Sequence, residues 1–196
     1  MNQERLPLNL EELRAHLSEK LDDKIEEIRT EKIEKGLSQK PMKLLWMKVP
    51  REHFREAVEV IADIQIPHLS VASGSDKGDF VELIYHFMVN HGYRNEETAV
   101  NLKVHLPKDD LTIPTITDLI PGAITTEREK QEFLGIDVID IPDDRRMWLD
   151  ENYPEDRYPW RWDEKGMEDM SRHVHENEET FEEPVANRVK DEEDGE

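Results

Sequence analysis

The 196 residues contain no cysteine. Disulfides, thiol nucleophiles, Cys-type zinc sites and thiolate-held iron–sulfur clusters are therefore excluded from this chain. Basic charge is also scarce: 26 Lys and Arg stand against 47 Asp and Glu, a formal net charge of −21. Phosphate-backbone binding needs clustered cations, so nucleic acid is not expected as a partner, and docking on anionic lipid is disfavoured. No long hydrophobic run occurs. The most apolar stretch, Phe80 to Val89, falls well short of the roughly 18–20 residues needed to span a bilayer, so direct membrane insertion is not expected. Met1 to Arg5 lead into a polar helix and lack the apolar centre of a secretory signal. Neither of the two glycine-rich phosphate-binding patterns is present. Gly74 and Gly78 flank an acidic run that reads as a turn.

What is there is unusually polar. Hydrophobic residues make up 36% and charged residues 37%, so only part of the length can be packed core. Asn9 followed by Glu12 reads as a capping box. Leu10, Leu13, Leu17, Leu21, Ile25 and Ile28 then recur at spacings of three and four. This predicts an amphipathic helix ended by Gly36 and Pro41. Lys43 to Val49 reads as a buried strand, and Pro50 opens a second helix with Phe54, Ala57, Val58 and Ile61 on one face. Leu69 to Ala72 is a weaker strand. Phe80 to Val89 is apolar at alternating positions on both faces, as a central strand is, and Thr98 to Leu106 alternates as a half-buried one. Their short connection favours an antiparallel hairpin. Pro121 to Leu134, followed by Gly135, predicts a third helix.

The expected class is α+β: a small, mainly antiparallel sheet with helices packed on one face, followed by an extended C-terminal arm. The expected divisions are an N-terminal helix over 1–40, a core over 41–136, an arm over 137–163 and an acidic tail over 164–196.

Few constellations could carry chemistry. His173, His175 and Glu176 lie in the acidic tail, where two alternating histidines make a weak metal site. His86 reads as a satisfied core or interface histidine. In Glu127-Arg128-Glu129-Lys130-Gln131-Glu132, Glu127 and Glu129 face different directions on a helix, while Arg128 and Glu132 are spaced for a salt bridge. The run Tyr153 to Trp162 combines proline with Tyr, Trp and Arg, the residue types enriched in interface hot spots. Folding back onto its own sheet and docking on a partner are equally open for it.

Three runs in this order carry a resemblance. Ile116-Thr117-Asp118-Leu119-Ile120-Pro121-Gly122-Ala123 precedes Glu127-Arg128-Glu129-x-x-Glu132-Phe133-Leu134-Gly135-Ile136. Then come Pro142-Asp143-Asp144-Arg145-Arg146 and Tyr158-Pro159-Trp160-Arg161. Over roughly residues 43–163 the series resembles the C-type small-subunit family of NADH–quinone oxidoreductase (complex I), shared with the small subunits of energy-converting hydrogenases. The Ile-Pro-Gly-Ala entry looks closest to the archaeal membrane-bound hydrogenase and sulfane reductase branch. Ile141 replaces the family's histidine before Pro-Asp, and Arg161-Trp162-Asp163 replaces its Arg-Lys-Asp.

The resemblance implies a cofactor-free accessory subunit in the peripheral electron-transfer arm of a complex I-like oxidoreductase. It would lie on the cytoplasmic side of the membrane. It would dock on a nickel–iron hydrogenase-like large subunit, beside Cys-rich subunits holding the iron–sulfur clusters, and would reach an antiporter-like membrane module only indirectly. A soluble assembly factor for the large subunit is the alternative. Carried over by match, Glu127, Arg128, Glu129, Arg145, Arg146, Tyr158, Pro159 and Arg161 are the expected partner-binding or arm-anchoring residues, and Glu132 and Trp160 in the same runs are expected to join them; no catalytic, metal or cofactor ligand is expected.

Overall fold

A computed structural model describes residues 6–34 and 41–166. The capping box at Asn9 forms as read: its side chain accepts from the N–H groups of Glu11 and Glu12, and the Glu12 carboxylate accepts from the Asn9 N–H. Helix α1 (Leu10–Leu21) buries Leu10, Leu13, Leu17 and Leu21. It stops far short of Gly36. Asp22 takes φ +42, its N–H caps Ser18, and the chain enters strand β1 (Glu27–Glu34). Ile25 and Ile28 keep a helical spacing by coincidence. In β1 the backbone gains a full antiparallel ladder with β2 (Pro41–Lys48), which tertiary pairing favours over local propensity.

Helix α2 (Phe54–Ile64) follows Pro50 and one 3₁₀ turn, and buries the predicted Phe54, Ala57, Val58 and Ile61. Strand β3 (His68–Asp76) is longer than expected, absorbing most of the run assigned to a turn; Lys77 to Asp79 make the reversal into β4 (Phe80–Val89). Strands β4 and β5 (Thr98–Pro107) form the predicted antiparallel hairpin.

The sheet order is β1-β2-β5-β4-β3, so β5, not β4, is central. Within this sheet only β2 and β5 run parallel. Register places Leu45, Met47, Val100, Leu102, Val104, Val81, Leu83, Tyr85 and Ala72 on one face, all of them buried. The opposite positions of β4, from Phe80 to Met88, are half-buried rather than core. All three helices contribute to the one core. Each large aliphatic side chain fully withdrawn there stabilises by about 1.5–3 kcal/mol.

Helix α3 (Ala123–Leu134) is held at both ends by a parallel pair, β6 (Thr112–Pro114) with β7 (Asp137–Ile139). It covers the edge of β3. Thr126 Oγ1 donates to the Ala72 carbonyl and accepts the Ala72 N–H at 2.9 Å, so the outward groups of Ala72 on this edge strand are satisfied by a side chain. Gly74 lets the two elements approach closely at the crossing: a Cβ there would lie 2.4 Å from the Leu134 side chain, which would have to shift. Gly135 ends α3 in the left-handed region. No helix among the described residues is long and apolar enough to cross a membrane.

Candidate functional site: the helix that holds the arm

Residues 140–166 carry almost no regular structure, yet they lie against α3 through a dense set of polar contacts. The charged signature of α3 makes most of them. Arg128 donates from Nε to the Arg145 carbonyl at 2.8 Å and from Nη1 to Asp143 at 3.2 Å. Glu132, buried, accepts three consecutive backbone N–H groups, from Met147, Trp148 (2.8 Å) and Leu149 (2.9 Å). The salt bridge that their spacing predicted is thus replaced: both residues reach into the arm. Successive N–H groups converging on one carboxylate form an anion-binding concavity, here filled from within the chain.

Further along, Trp160 stacks on Phe133 with centroids 4.6 Å apart, and its N–H donates to the Phe133 carbonyl at 2.9 Å. Lys130 lies 5.0 Å over the same indole and pairs with Glu129. Burial lowers the Lys130 ammonium despite the raising effect of Glu129. Tyr158 lies against Gly135, where a Cβ would come within 2.6 Å of the ring. Arg161 is buried and donates to the Leu134 carbonyl at 3.2 Å, capping α3. Arg145 clasps Asp143, whose carboxyl the Arg145 guanidinium holds well below the usual range. Arg146 donates to the Tyr153 carbonyl at 2.6 Å. Pro159 is half-buried between these anchors.

The arm closes on residues that sequence reasoning passed over. Asp76, at the end of β3, has no exposed side-chain surface. It accepts from Lys108, from the Trp162 N–H at 2.9 Å and from the Gly78 N–H at 2.9 Å, with Arg161 at 3.5 Å. Lys108 and Arg161 both also hold Asp163. Burial works to raise Asp163, but those cations outweigh it and hold the carboxyl at about 2. The clasp is therefore complete above the ordinary Asp value of 3.8 and is lost as pH falls through about 2. No local signal marks this role, because Asp76 sits in a polar, glycine-containing run typical of a solvated turn.

Glu127 points the other way, into the protein, and Glu129 stays beside Lys130, as two residues two apart on a helix must. On the open sheet face, Asn101 Nδ2 donates to the Leu45 carbonyl, which leaves its Oδ1 as acceptor for His86 Nδ1 at 2.7 Å. His86 then accepts the Ser73 hydroxyl at Nε2, 2.8 Å away, and both ring nitrogens are satisfied. His173, His175 and Glu176 lie outside the described residues. Among the described residues no group of three metal-capable side chains assembles.

The outer surface of the arm keeps apolar groups in water. Trp148 is 52% exposed, Met147 46% and Trp162 84%, and Val71 of β3 lies with Trp148 along one shallow cleft. Replacing Glu132 with alanine is expected to cost about 2–3 kcal/mol, the value of hydrogen bonds to a charged acceptor. Faster amide exchange confined to Met147–Leu149, with the sheet amides unchanged, is the check.

A family model described as respiratory-chain NADH dehydrogenase, 30 Kd subunit, matches residues 47–169. The membrane-bound hydrogenase subunit beta of Pyrococcus furiosus is 33% identical over 126 residues, 63% of this chain and 71% of that one. Formate hydrogenlyase subunit 5 of Escherichia coli is 28% identical over 122 residues, 61% of this chain but only 21% of that longer protein. A chain in the solved structure of the membrane-bound sulfane sulfur reductase, an archaeal respiratory membrane complex, shares the fold. Its TM-score is 0.62 over 89% of this chain and 96% of that one, at 21% identity.

Proposed function

Since the chain belongs to the family of the 30 Kd subunit of respiratory-chain NADH dehydrogenase, we propose that it is a non-catalytic structural subunit of a membrane-bound, complex I-like oxidoreductase. It docks on the nickel–iron hydrogenase-like large subunit, beside the iron–sulfur subunits and on the cytoplasmic side of the membrane. The observation that carries this reading is the arm: a strap anchored on α3 by buried charges, with Trp148, Met147 and Trp162 turned outward. Buried anchors fix the strap before it meets a partner, so little ordering entropy is lost on docking. Exposed tryptophans beside such anchors supply area for a hot spot.

Two further facts support it. A chain without cysteine cannot hold a thiolate-ligated cluster, so any such cluster is supplied by neighbours. A segment similar to this chain also forms about a fifth of a longer polypeptide, the formate hydrogenlyase subunit, with 21% of its length matched. A domain fused to others in one protein is commonly their direct neighbour where they are separate chains. Apart from Glu127, which turns into the core, the residues of these family-like runs act here as anchors that shape the docking surface, with Trp160 shared between anchor and surface.

Affinity capture of the full chain from detergent-solubilised membranes tests the reading. Stoichiometric recovery of a hydrogenase-like large subunit and Cys-rich subunits is expected, with iron travelling in those subunits only. The paired substitution Trp148→Ala and Trp162→Ala should cut that recovery at least tenfold, the loss of about 1.4 kcal/mol or more, while leaving the isolated fold intact. Sub-stoichiometric recovery would instead mark an assembly factor, and recovery as a free monomer alone would defeat the proposal.

A further inference from the structure

Glu127 is a carboxylate with 1% of its surface exposed, and it makes no ion pair among the described residues. Its partners are neutral: the Thr115 hydroxyl at 2.6 Å on Oε2 and the Ile116 N–H at 3.0 Å on Oε1. A buried anion without a cation is costly, and such a group relieves the cost by taking up a proton. The contacts continue outward. Thr115 Oγ1 lies 2.9 Å from Thr117 Oγ1, and both threonines line a surface cleft of about 430 Å³ with Arg55, Asp118, Asp140 and Pro142.

We propose that Glu127 is a proton-binding site of this fold, loaded and unloaded from the Arg55–Asp118 cleft through the hydroxyls of Thr115 and Thr117. With Glu127 ionised, Thr115 donates to it and Thr117 donates to Thr115. On loading, a hydronium in the cleft gives a proton to Thr117, which passes its own to Thr115, which passes its own to Glu127 Oε2. One water and one neutral carboxylic acid result, and both hydroxyls are reversed. The Ile116 N–H serves Oε1 in either state.

The charged and titratable surroundings favour this assignment. From β4, Tyr85 is fully buried, and that burial first, with the Glu127 charge after it, pushes its hydroxyl well upward. From the link before α3, Asp118 adds like charge; Arg55 of α2 is held by Asp118 in a two-pronged pair and by the Thr115 carbonyl at 3.0 Å. Among the described residues no cation remains for Glu127. Burial first, and Asp118 after it, push the carboxyl up to about 7 against the hydrogen bonds that pull it down.

Infrared difference spectroscopy of the full chain across a pH titration is the test. A carboxylic acid carbonyl band that disappears with a midpoint of about 7, and is missing in Glu127→Gln, is expected. Thr117→Val should keep the midpoint and slow the band's response to a pH jump severalfold. A site that titrates only in the ordinary carboxylate range overturns the proposal; a Thr117→Val response as fast as wild type overturns the relay. Should Glu127→Gln not fold, carboxyl NMR of the unmodified chain labelled at glutamate reads the same midpoint.

Discussion

Asp76→Ala is expected to destabilise the protein by about 3–5 kcal/mol, the cost of removing one member of a buried charged network. Its carboxylate is withdrawn from water and satisfied by Lys108, two backbone N–H groups and the edge of Arg161. Burial acts to raise its protonation range, yet the Lys108 and N–H contacts prevail and lower it. Without it, Lys108 and Arg161 crowd around Asp163 alone, and the Trp162 N–H loses its acceptor. The loss should be uneven. Amides from Tyr158 to Gly166 should exchange quickly and become open to proteolysis while those of β4 and β5 stay protected. Uniform loosening of the sheet would mean that Asp76 supports the core and not the arm. Asp76→Asn separates charge from shape, since the amide keeps an acceptor for one N–H but has no charge for Lys108.

The second large effect is one of pH. Glu127 has a folded value of about 7 against an ordinary 4.5. Between these values the native state holds a proton that the unfolded chain has released, so stability falls as pH rises. The slope reaches about 1.4 kcal/mol per pH unit, and the contribution levels off above the folded value at about 3 kcal/mol in total. Other carboxylates, Asp76 and Asp163 among them, give stability that increases with pH. The difference between wild type and Glu127→Gln isolates the one site. Urea denaturation of both at pH values on either side of the window should show the variant gaining about 3 kcal/mol on the wild type as pH rises. A flat difference would show that Glu127 is ionised in the folded protein at all of these values. Glutamine suits the comparison because its amide can accept from Ile116 and donate to Thr115.

Much of the fold was legible because it rests on local pattern. The Asn9–Glu12 box, the stripes of α1 and α2, the alternation of β5, the β4–β5 hairpin and the glycine stop after α3 are each written within a few neighbouring residues. Where pattern and pairing disagreed, pairing won. Ile25 and Ile28 continue a helical spacing, but β1 forms because β2 offers it a ladder. The run from Ser73 to Asp76 looks like a turn, yet it continues β3 because β4 pairs with it and Thr126 covers its outer edge.

Composition alone determined that this chain has no thiol of its own and can pack only part of its length as core, and the order of its motifs carried the resemblance to its family. These properties depend on which residues exist or on neighbours in the chain. Tertiary structure decided what the charged signature does. Arg128 and Glu132 meet the arm, Glu127 turns inward without a cation, and Asp76 joins Trp162 across 86 positions of sequence. A carboxylate has the same chemistry written in any of those places. Whether it is a solvated charge, an anchor or a proton site depends on how much water surrounds it and which donors reach it, and only the folded chain sets both.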